Sequence, residues 1–276
     1  MSTWLITGCS TGLGRALAEA VLDRGHNAVI TARSADTLAD LAAKYPESAL
    51  AMPLDVRDHE QAAAVARHAT ERFGGVDVLV NNAGHGYRSA IEEADPAEVE
   101  ELFGTNFFGP INLIRQVLPG MRQRRAGTII NVSSIGGRRS APGSGYYSAT
   151  KFALEGASDG LRKEAAPLGI RVVIVEPGAF RTDFAGRSLL QTAAPIDDYA
   201  GTAGQRRKEN DHTHGTQAGD PARAAQAIIT IAEADKPPFR ILLGTDALNV
   251  VRTELEEQRT EMDAWEQLSR STDFPA

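Results

Sequence analysis

Residues 3–15 read TWLITGCSTGLGR, an apolar run that passes directly into a glycine-rich turn. The run predicts a buried strand over 3–8, and the residues after the turn predict a helix over 12–24. Glycines at such a junction allow backbone amides to approach a pyrophosphate, which the dipole of the following helix also favours. The spacing is G-x-x-x-G-x-G and not G-x-G-x-x-G, so the loop taken alone is also typical of a simple turn.

The same alternation of apolar runs and amphipathic stretches continues along the chain. Apolar runs predict six further strands, at 28–33, 49–56, 76–84, 127–134, 170–178 and 239–244. Amphipathic stretches predict six further helices, at 36–44, 59–73, 96–121, 147–168, 221–234 and 246–269. The runs are nearly continuous Val, Ile and Leu, which is typical of parallel strands buried on both faces. We therefore expect one α/β domain over residues 1–276, a doubly wound, mostly parallel sheet of about seven strands with helices on both faces.

Two segments depart from this regular pattern. Residues 183–219 are rich in Gly, Thr, Gln and charge, and they predict a weak helix at best. A long irregular insert in a compact domain is typical of a functional lid, so we expect this segment to form much of the substrate pocket. Residues 246–276 form a polar C-terminal helical extension, which we expect to cap the substrate site or alter assembly.

Composition excludes several classes of function. The chain has 276 residues with 29 Lys and Arg against 36 Asp and Glu, a net charge of −7 that argues against nucleic-acid binding. A single cysteine, Cys9, excludes an intramolecular disulfide and a cysteine-based zinc site. His212 and His214 are too few convergent ligands for a metal, so no metal is expected. The N-terminus lacks the basic region of a signal peptide, and no run approaches the about 20 apolar residues of a membrane span. We expect a cytoplasmic protein without a membrane partner.

The ends of the second, third and fourth strands predict how an adenosine would be bound. The second strand ends in Thr31-Ala32-Arg33-Ser34, without the acid that binds a ribose 2′-hydroxyl, whereas a guanidinium fits a 2′-phosphate. We expect NADP(H) to be preferred, with NAD(H) possible; the alternative is that Arg33 is a solvated loop residue. Asp55 is placed to accept a hydrogen bond from an adenine amino group, and the amides of the NNAG sequence at 81–84 are placed to join adjacent strands.

Three further residues predict acid–base chemistry. Tyr147 and Lys151 are four residues apart, so they share a helix face. An ammonium near a phenol favours the phenolate, and this would lower the tyrosine pKa from about 10 toward neutral pH. Ser134, thirteen residues before Tyr147 and at the end of the fifth strand, could hydrogen-bond the same substrate oxygen.

Taken together, these motifs resemble the short-chain dehydrogenase/reductase family. The matches are TGxxxGxG at 7–14, Asp55, NNAG at 81–84, Asn106, Ser134, YxxxK at 147–151, and Pro177-Gly178 with Thr182, spanning residues 3 to about 182 in the order usual for the family. The resemblance implies a single-domain Rossmann fold and NADP(H)-dependent interconversion of a ketone or aldehyde with an alcohol. It also implies a homodimer or homotetramer that pairs the helices at 96–121 and 147–168.

The resemblance further implies a role for each matching residue. Tyr147 exchanges the proton, Ser134 orients the substrate oxygen, Lys151 binds the nicotinamide ribose, Asn106 supports a water that links Lys151 to solvent, and Thr182 binds the carboxamide. The implied catalytic set is Asn106, Ser134, Tyr147 and Lys151, and the implied substrate contacts are Ser134, His85 and Tyr147. The expected cofactor-binding set is Thr7, Gly8, Ser10, Thr11, Gly12, Leu13, Gly14, Arg33, Ser34, Asp55, Val56, Asn82, Ala83, Gly84, Tyr147, Lys151, Pro177, Gly178, Phe180 and Thr182.

Two other functions compete with this interpretation. One is a non-catalytic NADP-binding regulatory or redox-sensing protein, but such relatives usually lose the Tyr or the Lys. The other is an epimerase or dehydratase of nucleotide sugars, whose relatives tend to be longer and to carry a GxxGxxG loop. The short C-terminal tail of this chain and its TGxxxGxG loop argue against the epimerase or dehydratase.

Overall fold

The computed structural model describes residues 1–186, 188–213 and 215–274, and it leaves the side chains of residues 185 and 210–213 undescribed. The expectation for His214, and for the side chain of His212, lies outside the described residues. The same holds for residue 187 of the predicted insert and residues 275–276 of the predicted tail.

The strands form one seven-stranded parallel sheet and one small two-stranded sheet. They are β1 (Thr3–Ile6), β2 (Asn27–Ala32), β3 (Ala49–Pro53), β4 (Val78–Asn81), β5 (Gly86–Arg88), β6 (Gly127–Val132), β7 (Ile170–Pro177), β8 (Leu189–Gln191) and β9 (Arg240–Leu243). The large sheet has the order β3-β2-β1-β4-β6-β7-β9, and every neighbouring pair in it is parallel. The predicted doubly wound α/β fold is therefore confirmed.

Ten α-helices occur among the described residues. They are α1 (Gly12–Asp23), α2 (Ala39–Lys44), α3 (His59–Phe73), α4 (Pro96–Phe103), α5 (Gly109–Arg124), α6 (Gly145–Ala165), α7 (Ala203–Thr213), α8 (Pro221–Glu233), α9 (Thr245–Ala264) and α10 (Glu266–Arg270). None of those described is long and apolar enough to cross a membrane.

The sheet separates two hydrophobic cores because side chains of successive strand residues point to opposite faces. In β1, Trp4 and Ile6 enter the core beneath α1 and α8, whereas Leu5 enters the core beneath α3 and α5. All three side chains are at most 1% exposed. Burial on both faces explains why the strands read as continuous apolar runs.

Two predicted elements differ from those in the structure. The helix predicted at 96–121 is interrupted by a π-helical turn over Gly104–Phe108, between α4 and α5. The segment 183–219, predicted as a weak helix at best, contains β8 and the eleven-residue α7. The α7 sequence AGQRRKENDHT is almost wholly polar, so it lacks the apolar periodicity that reveals a helix. Because β8 pairs with the distant β5 over three residues, no local pattern predicts it.

A buried chain of polar side chains joins the middle of the sheet to α6. The Asn81 side-chain amide donates to Asn131 Oδ1 at 2.8 Å, and Asn131 Nδ2 donates to Ser158 Oγ at 2.8 Å. All three residues are at most 3% exposed. Because each amide meets its partner inside the protein, the chain sets the register between β4, β6 and α6 at little desolvation cost.

Asn131→Ala should lower the free energy of unfolding by about 2–3 kcal/mol, because it leaves the buried Asn81 donor without a partner and removes the hydrogen bond that Ser158 Oγ accepts. Urea unfolding followed by circular dichroism measures the change. Asn249→Ala, on the exposed surface of α9, is the matched control and should change stability by less than about 0.5 kcal/mol. Equal effects of the two variants would show that the buried chain contributes nothing specific.

Candidate active site

The candidate site lies at the carboxyl edge of the large sheet, where β1 and β4 are neighbours. The chain crosses from one half of the sheet to the other at this point, since β1 and β2 lead outward on one side and β4 and β6 on the other. Open α/β sheets bind ligands in the crevice at such a switch point. The glycine loop after β1, the NNAG sequence after β4 and Ser134 after β6 all open onto this edge.

The glycine loop requires its glycines. Gly8 and Gly12 have φ values of +73° and +61°, which favour glycine. A Cβ on Gly14 would lie 2.4 Å from both the Gly8 carbonyl oxygen and Asn82 Nδ2. The first turn of α1 holds no acidic residue, so its free amides and dipole are available to an anion. These features fit the pyrophosphate of a dinucleotide, with Ser10, Thr11 and Leu13 completing the loop.

Thr7 fastens the glycine loop to the NNAG sequence. Its buried hydroxyl accepts hydrogen bonds from the backbone amides of Asn82 at 3.0 Å and Ala83 at 2.9 Å. Asn82 Nδ2 returns a hydrogen bond to the Thr7 carbonyl at 2.8 Å. The predicted joining of adjacent strands by these amides is therefore observed.

At the end of β2, where the sequence predicts the adenosine, Arg33 and Ser34 are exposed. Asp55 does not stand free after β3, because the Arg57 guanidinium donates to both of its carboxylate oxygens, at 2.7 Å to Oδ2. This bond holds the pKa of the Asp55 carboxyl below its usual value, although burial opposes the shift. An adenine amino group would therefore share Asp55 with Arg57, a residue that the sequence reasoning missed.

Val56 is 6% exposed and packs beneath Gly109. A Cβ on Gly109 would lie 2.5 Å from Val56 Cγ2.

Tyr147 lies in the first turn of α6 and faces Ser134. Its side chain is 8% exposed, and a Cβ on Gly136 would lie 3.0 Å from Tyr147 Cε1 and 3.4 Å from Ser134 Oγ. Burial raises the pKa of Tyr147, while a hydrogen bond from Ser134 and the charge of Arg88 act in the opposite direction. The prediction that Lys151 lowers the pKa of Tyr147 is therefore wrong for this structure: desolvation of the phenolate is the largest effect, and Lys151 is not among the groups that oppose it.

Lys151 lies one turn beyond Tyr147 and is 5% exposed. Its ammonium donates to the Val132 carbonyl at 2.9 Å and stands 5.8 Å from the centre of the Tyr147 ring. Burial lowers the pKa of Lys151 to about 8, while the charge of Glu155 acts in the opposite direction. A Cβ on Gly84 would lie 3.8 Å from Lys151 Nζ, so the glycine keeps the approach to the ammonium open.

Asn106 is fully buried within the π-helical turn and clamps the backbone of His85. The His85 amide donates to Asn106 Oδ1 at 3.0 Å, and Asn106 Nδ2 donates to the His85 carbonyl at 2.9 Å. Asn106 Nδ2 also reaches Thr150 Oγ1, on α6, at 3.3 Å. The π-helical turn is the local structure that presents the Asn106 side chain to His85, and such turns are frequent at functional sites. Burial lowers the pKa of His85, so its ring is neutral at pH 7.

The loop after β7, predicted to bind the nicotinamide, packs against the glycine loop. A Cβ on Gly12 would lie 3.2 Å from Thr182 Cβ, which places Thr182 directly against the glycine loop. Pro177 ends β7, and the Ala179 amide donates to Asp246 Oδ2 at 2.7 Å. A Cβ on Gly178 would lie 2.3 Å from that same oxygen. Phe180 forms a bridge with Gly219, so the beginning and the end of the 183–219 segment are held together. Asp246 was missed by the sequence reasoning because it lies more than 60 residues along the chain.

The chain matches the family model described as short chain dehydrogenase over residues 2–192. It is 35% identical over 267 residues to an oxidoreductase of Botryotinia fuckeliana, BOA17, covering 96% of this chain and 97% of that one. It is also 38% identical over 247 residues to a 3-ketodihydrosphingosine reductase of Bacteroides thetaiotaomicron, covering 87% of each.

Solved structures give the same picture. A short-chain dehydrogenase from Streptomyces avermitilis superposes with a TM-score of 0.92 at 44% identity, covering 99% of this chain and 100% of that one. An alcohol dehydrogenase from Thermococcus sibiricus, complexed with 5-hydroxy-NADP, gives 0.73 at 26% identity over 88% and 96% of the two chains. A short-chain dehydrogenase/reductase from Burkholderia phymatum, in complex with NAD, gives 0.82 at 25% identity over 94% and 95%.

The depressed pKa of Lys151 makes stability depend on pH. A lysine with a pKa of about 8 when folded and 10.5 when unfolded binds fewer protons in the folded state between these values, so stability rises with pH there. The free energy of unfolding of the wild type should rise by about 3 kcal/mol across this window relative to Lys151→Met.

Urea unfolding at pH 7, 8, 9 and 10 measures this difference. Lys163→Met, which removes an exposed lysine of the same helix, is the control and should follow the wild-type profile. Parallel profiles for the wild type and Lys151→Met would contradict the buried titration.

Proposed function

The chain belongs to the short-chain dehydrogenase family, and we propose that it is an NADP(H)-dependent oxidoreductase interconverting a ketone or aldehyde with the corresponding alcohol. The observation that carries the proposal is the convergence of Tyr147, Ser134 and Lys151 beside a glycine loop suited to a pyrophosphate. Oxidation of NADPH, followed by its nicotinamide absorbance against a panel of ketones and aldehydes, tests it. An absence of turnover across the panel would favour the non-catalytic NADP-binding alternative.

The nicotinamide, when bound, supplies or accepts the hydride; the protein's own residues manage the proton and the substrate oxygen. Tyr147, kept neutral by burial, is in the correct state to give a proton to the oxygen of a carbonyl. Ser134 lies beside the same phenol and would therefore share that oxygen, stabilising the charge that develops on it. Lys151 places a cation beside the phenol, and it favours the phenolate that remains after the proton is transferred.

Asn106 acts through its neighbours in this proposal. Its amide holds the His85 backbone on one side and Thr150 on the other, so it fixes the loop after β4 against α6. We expect this clamp to keep Gly84 and Lys151 at the spacing that admits a ribose, and to support the water that the family resemblance implies.

NADP(H) is the proposed cofactor because Arg33 stands exposed at the end of β2 and no acid stands there. The solved relatives hold either a derivative of NADP or NAD, so both cofactors are compatible with this fold. The cytoplasm and a homodimer or homotetramer remain the predicted location and assembly.

Replacing Tyr147 by Phe should lower kcat by about a hundredfold to ten-thousandfold, because the proton donor is lost while packing is kept. NADPH binding, measured by fluorescence titration, should stay near the wild-type value. Tyr146→Phe is the matched control, since its hydroxyl donates to the Ile91 carbonyl at 3.1 Å instead of to the site. Retention of most activity by Tyr147→Phe would refute the proton-transfer role.

Arg33→Asp should shift the preference from NADP toward NAD, because a carboxylate repels a 2′-phosphate and accepts a bond from a 2′-hydroxyl. The ratio of kcat/KM for NADPH to that for NADH should fall at least about tenfold. Arg67→Asp, an exposed arginine of α3, is the control for a change of the same charge. An unchanged ratio would mean that another group binds the 2′-phosphate.

A further inference from the structure

Arg88 is a buried cation, and no acid among the described residues is paired with it. Arg88 is 7% exposed, and its Nε and Nη1 atoms have no hydrogen-bond partner among the described residues. Burial lowers its pKa to about 10, and the charge of Arg206 acts in the same direction, so the guanidinium is still protonated at pH 7. A charge held in this way is costly unless something pairs with it.

Arg88 lies beside the proton donor of the site. Gly86 and Arg88 share one face of β5, since side chains alternate along a strand. A Cβ on Gly86 would lie 2.5 Å from Leu189 Cδ1 and 3.3 Å from Phe184 Cζ, which marks this face as the one covered by the 183–219 segment. The Phe184 ring stands 5.8 Å from the Tyr147 ring, and the charge of Arg88 itself lowers the Tyr147 pKa.

Two described acids, one in the loop after β5 and one in α7, are already paired with other arginines. Glu93 is 5% exposed and bonds Arg207 at 2.6 Å, which joins the loop after β5 to α7. Glu209 bonds Arg206 at 3.0 Å. Ser89, next to Arg88, is 2% exposed, and its hydroxyl also has no partner among the described residues. Among the described residues, Arg88 therefore has positive charge near it, from Arg206, and no acid paired with it.

We propose that Arg88 binds a carboxylate of the substrate, so that this enzyme acts on oxo acids and the corresponding hydroxy acids. The guanidinium fork matches a carboxylate in a bidentate pair. The inference rests on the proposed function and specifies its substrate class. In the reaction, the carbonyl carbon gains a hydride from the reduced nicotinamide, which is thereby oxidised, and the carbonyl oxygen gains the Tyr147 proton. The carboxylate is unchanged.

Kinetics with matched neutral substrates test the assignment. Pyruvate, acetoacetate and levulinate place the carboxylate at increasing distance from the ketone, and each is compared with its methyl ester. The wild type should prefer the best of the acids to its ester. Arg88→Met should lower kcat/KM for that acid at least about thirtyfold, mainly through KM, and lower kcat/KM for the ester by a much smaller factor, because the ester loses no ion pair and is affected only through the Tyr147 pKa. Arg67→Met is the control for loss of an exposed guanidinium.

Binding separates this inference from the proposed function. Isothermal titration of the same acid into the NADP-loaded protein should show binding to the wild type and to Tyr147→Phe, and loss of binding to Arg88→Met. Turnover of neutral ketones with no preference for acids, or equal losses for acid and ester in Arg88→Met, would overturn the role of Arg88 and leave the reductase intact. Acid binding that depends on Arg88, without turnover of any substrate, would support Arg88 and overturn the proposed reaction.

Discussion

The Thr7 hydroxyl accepts hydrogen bonds from the backbone amides of Asn82 and Ala83, and the geometry of the whole site depends on this junction. The two parallel strands it joins, β1 and β4, stand side by side where the sheet changes direction. Because the glycine loop follows one strand and the NNAG sequence follows the other, a single buried hydroxyl sets the width of the crevice between them. Asn82 reinforces the junction by donating a hydrogen bond to the Thr7 carbonyl. This bond also fixes the Asn82 side chain, against which Gly14 packs closely.

The second constraint is the burial of α6, the helix that carries Tyr147 and Lys151. Raising the pKa of Tyr147 and lowering that of Lys151 both favour the neutral forms, which is the cost of placing two titratable groups in a dry site. A cluster of charged residues holds the same helix further along. Arg240 Nε donates to Glu155 Oε2 at 2.8 Å, and Glu176, fully buried in β7, bonds Arg138 at 3.2 Å. Burial and the adjacent Glu155 raise the pKa of Glu176 to about 7. These contacts join α6 to β7 and β9, and so they fix the position of Tyr147 relative to Ser134.

Much of the site could be predicted from local sequence because the chemistry requires particular residues at short spacings. The i, i+4 pair of Tyr147 and Lys151 fixes a shared helix face, and glycines with positive φ at Gly8 and Gly12 leave little alternative to a tight loop. The hydrogen bonds between Thr7 and the NNAG sequence could be predicted only in part from the sequence. Both follow apolar runs, but the hydrogen bonds between them required the strands to be neighbours.

The sequence by itself determined the parallel sheet, the glycine loop and the shared helix face of Tyr147 and Lys151, since strand burial and residue spacing depend on continuous stretches of chain. Only the tertiary structure decided that Arg57 occupies the Asp55 carboxylate, that Asp246 secures the loop at Gly178, and that β8 pairs with β5. It also decided that Arg88 lies buried beside Tyr147 while Arg207 takes the neighbouring carboxylate. These contacts join residues that are distant in sequence or carry no periodic pattern. The physical reason is that the desolvation of a charge depends on its neighbours in space, and the spacing of residues along the sequence does not predict those neighbours.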